Sequence, residues 1–158
     1  MTVRAVTFDD IPVLTEFWYD QMALASQKHP SIRLASDAEI QWHTYAESLV
    51  NDENVAFLLA EIDNEIIACA IGRIQTNNVG LHPKQIGIIE DIILDLHSPH
   101  KRKNAVTDLL KALKIYFRQM NIQYIMIRVP TFSPVEQGFW RGLGLQHTHD
   151  TFWMDLST

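Results

Sequence analysis

Three β-rich runs in the middle of the chain constrain its fold more than any other feature. The first two flank the sequence IDNE within NVAFLLAEIDNEIIACAIGRIQ, and the third is IGIIEDIILDL. Asp63 and Asn64 lie at the centre of IDNE, and residues of this kind accept the backbone of a tight turn, which predicts a β-hairpin. A polar loop, TNNVGLHPKQ, leads from the hairpin to the third run. We therefore predict an antiparallel meander of three strands.

Helical patterns flank this meander. Apolar residues recur at helical spacing in four segments, which are predicted as helices over about Asp9–Ala25, Ser36–Asn51 and Ala105–Met120 and in PVEQGFWRGL. Shorter β-rich runs begin the chain (TVRAV), separate the last two helices (YIMIRV) and close the chain (LQHTHDTFWMDL). The order β-α-α-β-β-β-α-β-α-β predicts an α/β fold: a mixed, mostly antiparallel sheet of about six strands, with helices on both faces and one parallel strand pair.

Composition and charge exclude several classes of function. With 47% hydrophobic and 20% charged residues and no linker, residues 1–158 are predicted to form a single globular domain. A formal net charge of −6 argues against binding along a nucleic-acid backbone. No apolar run approaches the roughly 18 residues that a membrane span needs. The single cysteine, Cys69, lies in an apolar run, which fits a core position in a reducing compartment. We therefore predict a cytoplasmic protein with neither a nucleic-acid nor a membrane partner.

The sequence HSPHKRKNAV stands where the third strand of the meander leads into the next helix. A turn that opens a helix suits an anion, because unpaired amides and the helix dipole face it. This turn has no glycine, but Lys101, Arg102 and Lys103 add positive charge, and Asn104 tolerates unusual backbone angles better than most residues. The turn is either a phosphate site or a solvated basic loop without a ligand.

Two stretches of the chain resemble those of a known family. The opening VRAVTFDDIPVLTEF and the late segment RVPTFSPVEQGFWRGLGL are similar to the corresponding segments of the GNAT superfamily of N-acetyltransferases. The resemblance implies that the parallel strand pair splays apart and holds acetyl-CoA as cosubstrate. Its pantetheine arm would pair with the backbone of the splayed strand at Ile93 and Leu94, and its pyrophosphate would lie on the turn HSPHKRKNAV.

The resemblance also implies which residues of this turn contact the pyrophosphate. Aligning the leucine pair of the following helix places Lys101, Asn104 and Val106 at the family's three marked positions, two of them usually glycine or alanine. Aligning on Pro99 instead places Arg102, Ala105 and Thr107 there. The first alignment is preferred because helix register decides which amides face the ligand. The predicted cofactor-binding residues of this turn are Lys101, Arg102, Lys103, Asn104, Ala105 and Val106.

Two further cofactor contacts are implied in the late segment. Ser133 takes the place of a turn asparagine that often contacts CoA, although a role as helix N-cap explains it equally well. Trp140 takes the place of a tyrosine that often protonates the leaving thiolate. An indole N–H donates hydrogen bonds but is not a practical acid. Tyr116 and Tyr124 are alternative acids that the sequence does not place near the sulfur.

The catalytic candidates are the adjacent carboxylates of IEDIIL. In a regular strand, Glu90 and Asp91 point to opposite faces, so one faces the substrate cleft. Acetyl transfer to an amine benefits from a base, and the resemblance makes Glu90 the first choice and Asp91 the second. The alternative for either residue is a structural pairing with a basic side chain. The resemblance also implies that Trp42, His43 and Tyr45 of the second helix shape the acceptor pocket.

The predicted function is therefore N-acetyl transfer from acetyl-CoA to a primary amine of a small molecule, peptide or protein, by direct attack. The alternative is a non-catalytic GNAT-like protein that binds CoA or another protein. No metal site is predicted, because His147 and His149 share a strand face without an apparent third ligand. The sequence leaves the oligomeric state open, although a homodimer built through the last strands would be ordinary for this fold.

Overall fold

The sheet has five strands in the order β1-β2-β3-β4-β5. The computed structural model describes residues 1–98 and 102–157, and of Arg102 and Lys103 only the backbone. Strands β1 to β4 pair antiparallel with their neighbours, whereas β4 and β5 pair in parallel. The strands are β1 Thr2–Ala5, β2 Val55–Ile62, β3 Glu65–Thr76, β4 Gln85–Leu94 and β5 Ile125–Ile127.

Four helices cover the two faces of this sheet. They are α1 Ile11–Ser26, α2 Ala38–Leu49, α3 Arg102–Gln119 and α4 Pro134–Gly142. Helices α1 and α2 pack into one apolar core with β2, β3 and β4, while α3 and α4 form a second core on the other face. The predicted α/β fold, with helices on both faces and one parallel pair, is confirmed. No described helix is both long and apolar enough to cross a membrane.

The predicted hairpin is confirmed at the turn between β2 and β3. Asp63 and Asn64 have backbone φ angles of 53° and 65°, in the left-handed region that a two-residue hairpin turn requires. A capping box at Thr7 and Asp10 precedes α1. The carboxylate of Asp10 accepts hydrogen bonds from the Thr7 amide at 2.8 Å and from the Arg4 guanidinium at 2.8 and 3.0 Å. The hydrogen bonds from Arg4 hold the pKa of Asp10 at about 2, and they anchor the start of α1 to β1.

The prediction of a closing strand is wrong. The segment after α4, LQHTHDTFWMDL, forms no strand, so the described chain has five strands rather than about six. Its alternating pattern favours a strand, but a strand needs a partner edge, and β5 pairs over three residues with β4 alone. Phe152, Met154 and Leu156 of this segment are exposed. A homodimer through the last strands stays a prediction.

A β-bulge interrupts β4 at the point that matters most for the site. Asp91 pairs with Ile71 and Ile89 pairs with Gly72, so Glu90 is an extra residue in β4. Four residues apart, Ile89 and Ile93 would share a face in a regular strand. Instead, Ile89 lies in the core beneath α3 and Ile93 in the core beneath α1 and α2. The bulge therefore shifts the alternation of side chains in β4 by one residue, so that residues an even number apart across it lie on opposite faces.

The pairing between strands β4 and β5 also ends at the bulge. Their parallel pairing covers Gly87, Ile88 and Ile89, opposite the whole of β5. From Glu90 to Leu94, β4 continues along β3, and among the described residues no strand pairs with its other side. The parallel pairing thus ends at the bulge, as a splayed strand pair requires, and the open side of β4 beyond it is called the cleft below.

Candidate active site

Glu90 belongs to a side-chain network on the face that α1 and α2 cover. Its carboxylate accepts a hydrogen bond from Arg73 Nε at 2.8 Å, and Arg73 Nη2 donates to the Tyr45 hydroxyl of α2 at 3.1 Å. Partial burial raises the pKa of Glu90. The alternative of a structural pairing with a basic residue therefore describes Glu90 well, because Arg73 already engages its carboxylate.

Asp91 lies on the same face of the sheet as Glu90. Directly paired residues in neighbouring strands share a face, and Asp91 pairs with Ile71, which lies in the core beneath α1 and α2. The expectation that Glu90 and Asp91 point to opposite faces is wrong. Its physical cause is the bulge, which inserts Glu90 and breaks the two-residue alternation between these side chains.

The environment of Asp91 suits proton transfer. Burial, together with the negative charges of Glu90 and Glu136, raises the pKa of Asp91 to about 6 against the opposing effect of the Ile92 amide. In the part of the chain that the structure describes, Asp91 forms no ion pair. A carboxylate of this kind exchanges a proton near neutral pH, whereas an ordinary aspartate does not.

Aromatic side chains of α1 and α2 lie on the same face of the sheet as this carboxylate pair. Trp42 of α2 is buried and stacks on Trp18 of α1 with ring centroids 5.6 Å apart. Tyr45, one turn further along α2, reaches the network through Arg73. His43 lies 3.4 Å from Glu47 of its own helix. The structure thus brings Tyr45 to Glu90, whereas sequence reasoning missed Arg73 because an arginine in a strand carries no local signal of its partner.

The unpartnered edge of β4 is occupied by a side chain of α1. The amide of Asp95 donates to Ile67 of β3, so by alternation Ile92 and Leu94 turn their backbone groups to the open side. Gln21 Nε2 donates to the Ile92 carbonyl at 3.0 Å, and the Leu94 amide donates to Gln21 Oε1 at 3.2 Å. Of the two predicted pantetheine contacts, Leu94 therefore faces the cleft with its backbone, whereas Ile93 turns its backbone to β3.

Trp140 lies on α4 with its indole N–H unsatisfied. The side chain is 5% exposed, and Nε1 has no hydrogen-bond partner among the residues that the structure describes. Glu136, whose charge reaches Asp91, precedes Trp140 by one helical turn and lies on the same side of α4. Ser133 is the N-cap residue of α4, but its hydroxyl makes no capping hydrogen bond. The Tyr116 hydroxyl donates a hydrogen bond to the Glu53 carbonyl, so the structure directs it to Glu53 and not to the carboxylate pair.

The first turn of α3 is the predicted pyrophosphate site. Lys101 and the side chains of Arg102 and Lys103 lie outside the described part of the chain. Asn104 is exposed, Ala105 is fully buried, and Val106 packs against the core beneath α3. The Val106 side chain is thus directed into the protein. The amides of a first helical turn have no acceptor within the helix, so they are donors for an anion.

Comparison with known proteins assigns the family. The model of the acetyltransferase (GNAT) family matches residues 16–145. The chain belongs to the GNAT family of acetyltransferases. This GNAT protein is accordingly an acyltransferase by family, and the cosubstrate of the family is acetyl-CoA. No curated protein matches the chain.

Solved structures share the fold of this GNAT protein at low sequence identity. A tetramutant of a Bacillus halodurans protein superposes with a TM-score of 0.84 at 16% identity, covering 99% of this chain and 100% of that one. An aminoglycoside 6'-N-acetyltransferase from Acinetobacter haemolyticus gives 0.75 at 18% identity, with 100% and 99% covered. A predicted acetyltransferase from Clostridium acetobutylicum, solved with acetyl-CoA, gives 0.75 at 18%, with 98% and 96% covered.

Proposed function

We propose that this GNAT protein transfers the acetyl group of acetyl-CoA to a primary amine of a small molecule, peptide or protein by direct attack, with Asp91 as the base. The observation that carries the proposal is the position of Asp91. This carboxylate, with its pKa raised to about 6, lies at the bulge where β4 leaves β5. Among the two sequence candidates, Asp91 is preferred over Glu90, because Arg73 engages Glu90 at 2.8 Å.

Three features of the described residues fit acetyl-CoA. The edge of β4 beyond Ile89 has no partner strand and suits an extended chain with amide groups. The buried N–H of Trp140 lacks an acceptor, which costs about 1–3 kcal/mol unless a ligand supplies one. The first-turn amides of α3 suit a phosphate, and Lys101, Arg102 and Lys103 add charge to that end of the helix. Each feature supports a different part of the cosubstrate.

The chemistry follows from these positions. Asp91 accepts the proton that the amine nitrogen loses as the new C–N bond forms. The C–S bond of the thioester breaks, and its electron pair leaves with sulfur. Trp140 Nε1–H donates a hydrogen bond to the departing thiolate, which takes its proton from water because an indole is not an acid at this pH. The rest of the rate enhancement comes from holding the amine and the thioester in one orientation.

Charge around the cleft favours a cationic acceptor. The negative charges of Glu90 and Glu136 both act on the carboxylate of Asp91 and raise its pKa. Arg73 balances one of the three charges. Amines are protonated at neutral pH, and the aromatic rings of Tyr45 and Trp42 lie on the same face of the sheet as Glu90 and Asp91. Aminoglycosides, the substrate class in the name of one structural relative, are amines with this positive charge, so they belong in the panel of acceptors to be tested.

Calorimetric titration with acetyl-CoA, paired with thiol release over a panel of amines, tests the proposal. We expect saturable binding and amine-dependent thiol release. Lys101→Ala with Arg102→Ala should weaken binding most at low salt, because added ions screen the attraction between these charges and the pyrophosphate. Lys114→Ala with Arg118→Ala removes the same charge further along α3 and should leave affinity nearly unchanged. Absence of binding at millimolar acetyl-CoA would overturn the proposal, and binding without release by any amine would favour the non-catalytic alternative.

Trp140→Phe tests the role of the unsatisfied indole. Phenylalanine keeps most of the apolar packing but removes the N–H, so we expect kcat to fall about three- to thirtyfold, the effect of one hydrogen bond that strengthens in the transition state. The free energy of unfolding should change little, because the lost packing and the removed unsatisfied donor act in opposite directions. Trp153→Phe, in the exposed segment after α4, is the control. Unchanged kcat in Trp140→Phe would remove Trp140 from the mechanism.

A further inference from the structure

The side chain of Gln21 takes the place of a strand partner along the open edge of β4. Its carboxamide both donates and accepts: Nε2 donates to the Ile92 carbonyl at 3.0 Å, and Oε1 accepts from the Leu94 amide at 3.2 Å. A primary carboxamide carries the same donor and acceptor as a peptide group. Gln21 belongs to α1 and lies 71 and 73 residues before its two partners in the chain.

This contact satisfies backbone groups that no strand reaches. Beyond Ile89, β5 no longer pairs with β4, and a bare strand edge invites pairing with any extended chain. Two edge groups, the Ile92 carbonyl and the Leu94 amide, are therefore held by one side chain.

We infer that Gln21 is a latch on the cleft, and that acetyl-CoA must displace its carboxamide to bind; this inference rests on the proposed function. The pantetheine arm of acetyl-CoA is an extended chain with two amide groups, so it seeks a strand edge of this kind. The Leu94 amide has one hydrogen and serves one acceptor well. Gln21 and the pantetheine arm thus compete for it.

Release of the latch needs rotation of one side chain. Gln21 is half-buried and its three side-chain torsions can carry the carboxamide away from β4 without a change in the backbone of α1. The latch consequently lowers the apparent affinity for acetyl-CoA by the fraction of molecules in which it is open. Two hydrogen bonds between neutral groups, each partly offset by hydration, correspond to a three- to tenfold effect in order of magnitude.

Gln21→Met tests the inference, because methionine has similar length but neither donor nor acceptor. We expect acetyl-CoA to bind Gln21→Met about three- to tenfold more tightly than the wild type in calorimetric titration. Gln21→Ala is a second variant, in case the thioether itself fills the cleft. Gln27→Met is the matched control: Gln27 follows the same helix, is exposed, and should bind acetyl-CoA as the wild type does.

Hydrogen exchange of the Leu94 amide gives a readout that needs no ligand. Exchange should be faster in Gln21→Met and Gln21→Ala than in the wild type, and acetyl-CoA should restore protection in both variants. Equal or weaker acetyl-CoA affinity in both Gln21 variants would overturn the latch while leaving the proposed function intact. Failure of every protein to bind acetyl-CoA would overturn the proposed function and the latch with it, whereas binding by the Gln21 variants alone would support the latch.

Discussion

Replacing Asp91 with asparagine is expected to lower kcat/KM for acetyl transfer by about 100- to 10,000-fold, the usual contribution of a general base. Asparagine has nearly the same shape but cannot accept the proton. In the wild type, the rise of kcat/KM with pH should become less steep above about 6, where Asp91 is ionised and only deprotonation of the amine still contributes, and Asp91→Asn should lack this break. Thiol release measured between pH 5 and 8.5, with one amine acceptor throughout, gives both results.

The same substitution is expected to make the protein more stable at pH 8. Burial raises the pKa of Asp91 from 3.8 to about 6 in the folded state, so ionisation of this group favours unfolding. Below pH 3.8 both states are protonated and the two proteins should differ little in this respect. Above pH 6 the wild type carries a cost of up to roughly 3 kcal/mol, since each pKa unit corresponds to 1.36 kcal/mol. Urea unfolding should show the advantage of Asp91→Asn growing between pH 4 and 6.

Glu90→Gln separates the two carboxylates. It breaks the ion pair with Arg73 and removes one of the charges near Asp91, so we expect a loss of activity smaller than that of Asp91→Asn. A larger loss in Glu90→Gln than in Asp91→Asn would show that Glu90 is the base. Loss of activity without a gain in stability in Asp91→Asn would indicate that the carboxylate is already ionised and supported in the folded protein.

Local signals in the sequence predict the frame of the fold. Asp63 and Asn64 specify the hairpin because their backbone must be left-handed, and the apolar spacing of the helical segments places helices on both faces. The late segment RVPTFSPVEQGFWRGLGL suffices to suggest the family, which the match over residues 16–145 confirms. These features depend on residues close together in the chain.

The site itself depends on contacts that the sequence does not display. The run IGIIEDIILDL is apolar on both faces of β4, so no alternation reveals the one-residue shift at Glu90. Gln21 meets Leu94 across 73 residues, and nothing in its neighbourhood in α1 indicates that contact. The segment TFWMDL has a strand-like pattern, but a pattern cannot supply the partner strand. Sequence reasoning therefore predicts elements better than the register and contacts that position side chains.

The basic turn before α3 shows the same difference between what the sequence predicts and what contacts in the fold decide. From sequence, Val106 is the least suitable residue at a position where the family usually has glycine or alanine. In the fold, the Val106 side chain packs against the core beneath α3, next to the fully buried Ala105. Val106 is the fifth residue of α3, so its own amide pairs within the helix, and its inward side chain leaves the amides of the preceding first turn unobstructed. Close packing of α3 on the sheet is then what fixes the position of these amides.

That packing predicts a large effect for Gly87→Ala. A Cβ atom on Gly87 would lie 2.7 Å from a ring carbon of Phe117, well inside van der Waals contact, and a Cβ atom on Gly72 would lie 3.0 Å from the same ring. Phe117 is buried, so its ring has little room to move. We expect the free energy of unfolding to fall by about 2–3 kcal/mol, at the upper end of overpacking effects. Urea unfolding measures the change.

Phe117→Leu supplies the decisive comparison, because a smaller side chain makes room for the added methyl group. The double variant should be less destabilised than the sum of the two single variants, with a coupling of about 1 kcal/mol or more between these contacting residues. Gly138→Ala in α4, where no atom lies within 4 Å of the added Cβ, is the control and should be neutral or slightly stabilising. Additive effects of Gly87→Ala and Phe117→Leu would mean that the contact between the Phe117 ring and Gly87 does not position α3. If that contact does position α3, Gly87→Ala should also weaken acetyl-CoA binding. The added methyl group would then displace α3 and with it the first-turn amides that are proposed to bind the pyrophosphate.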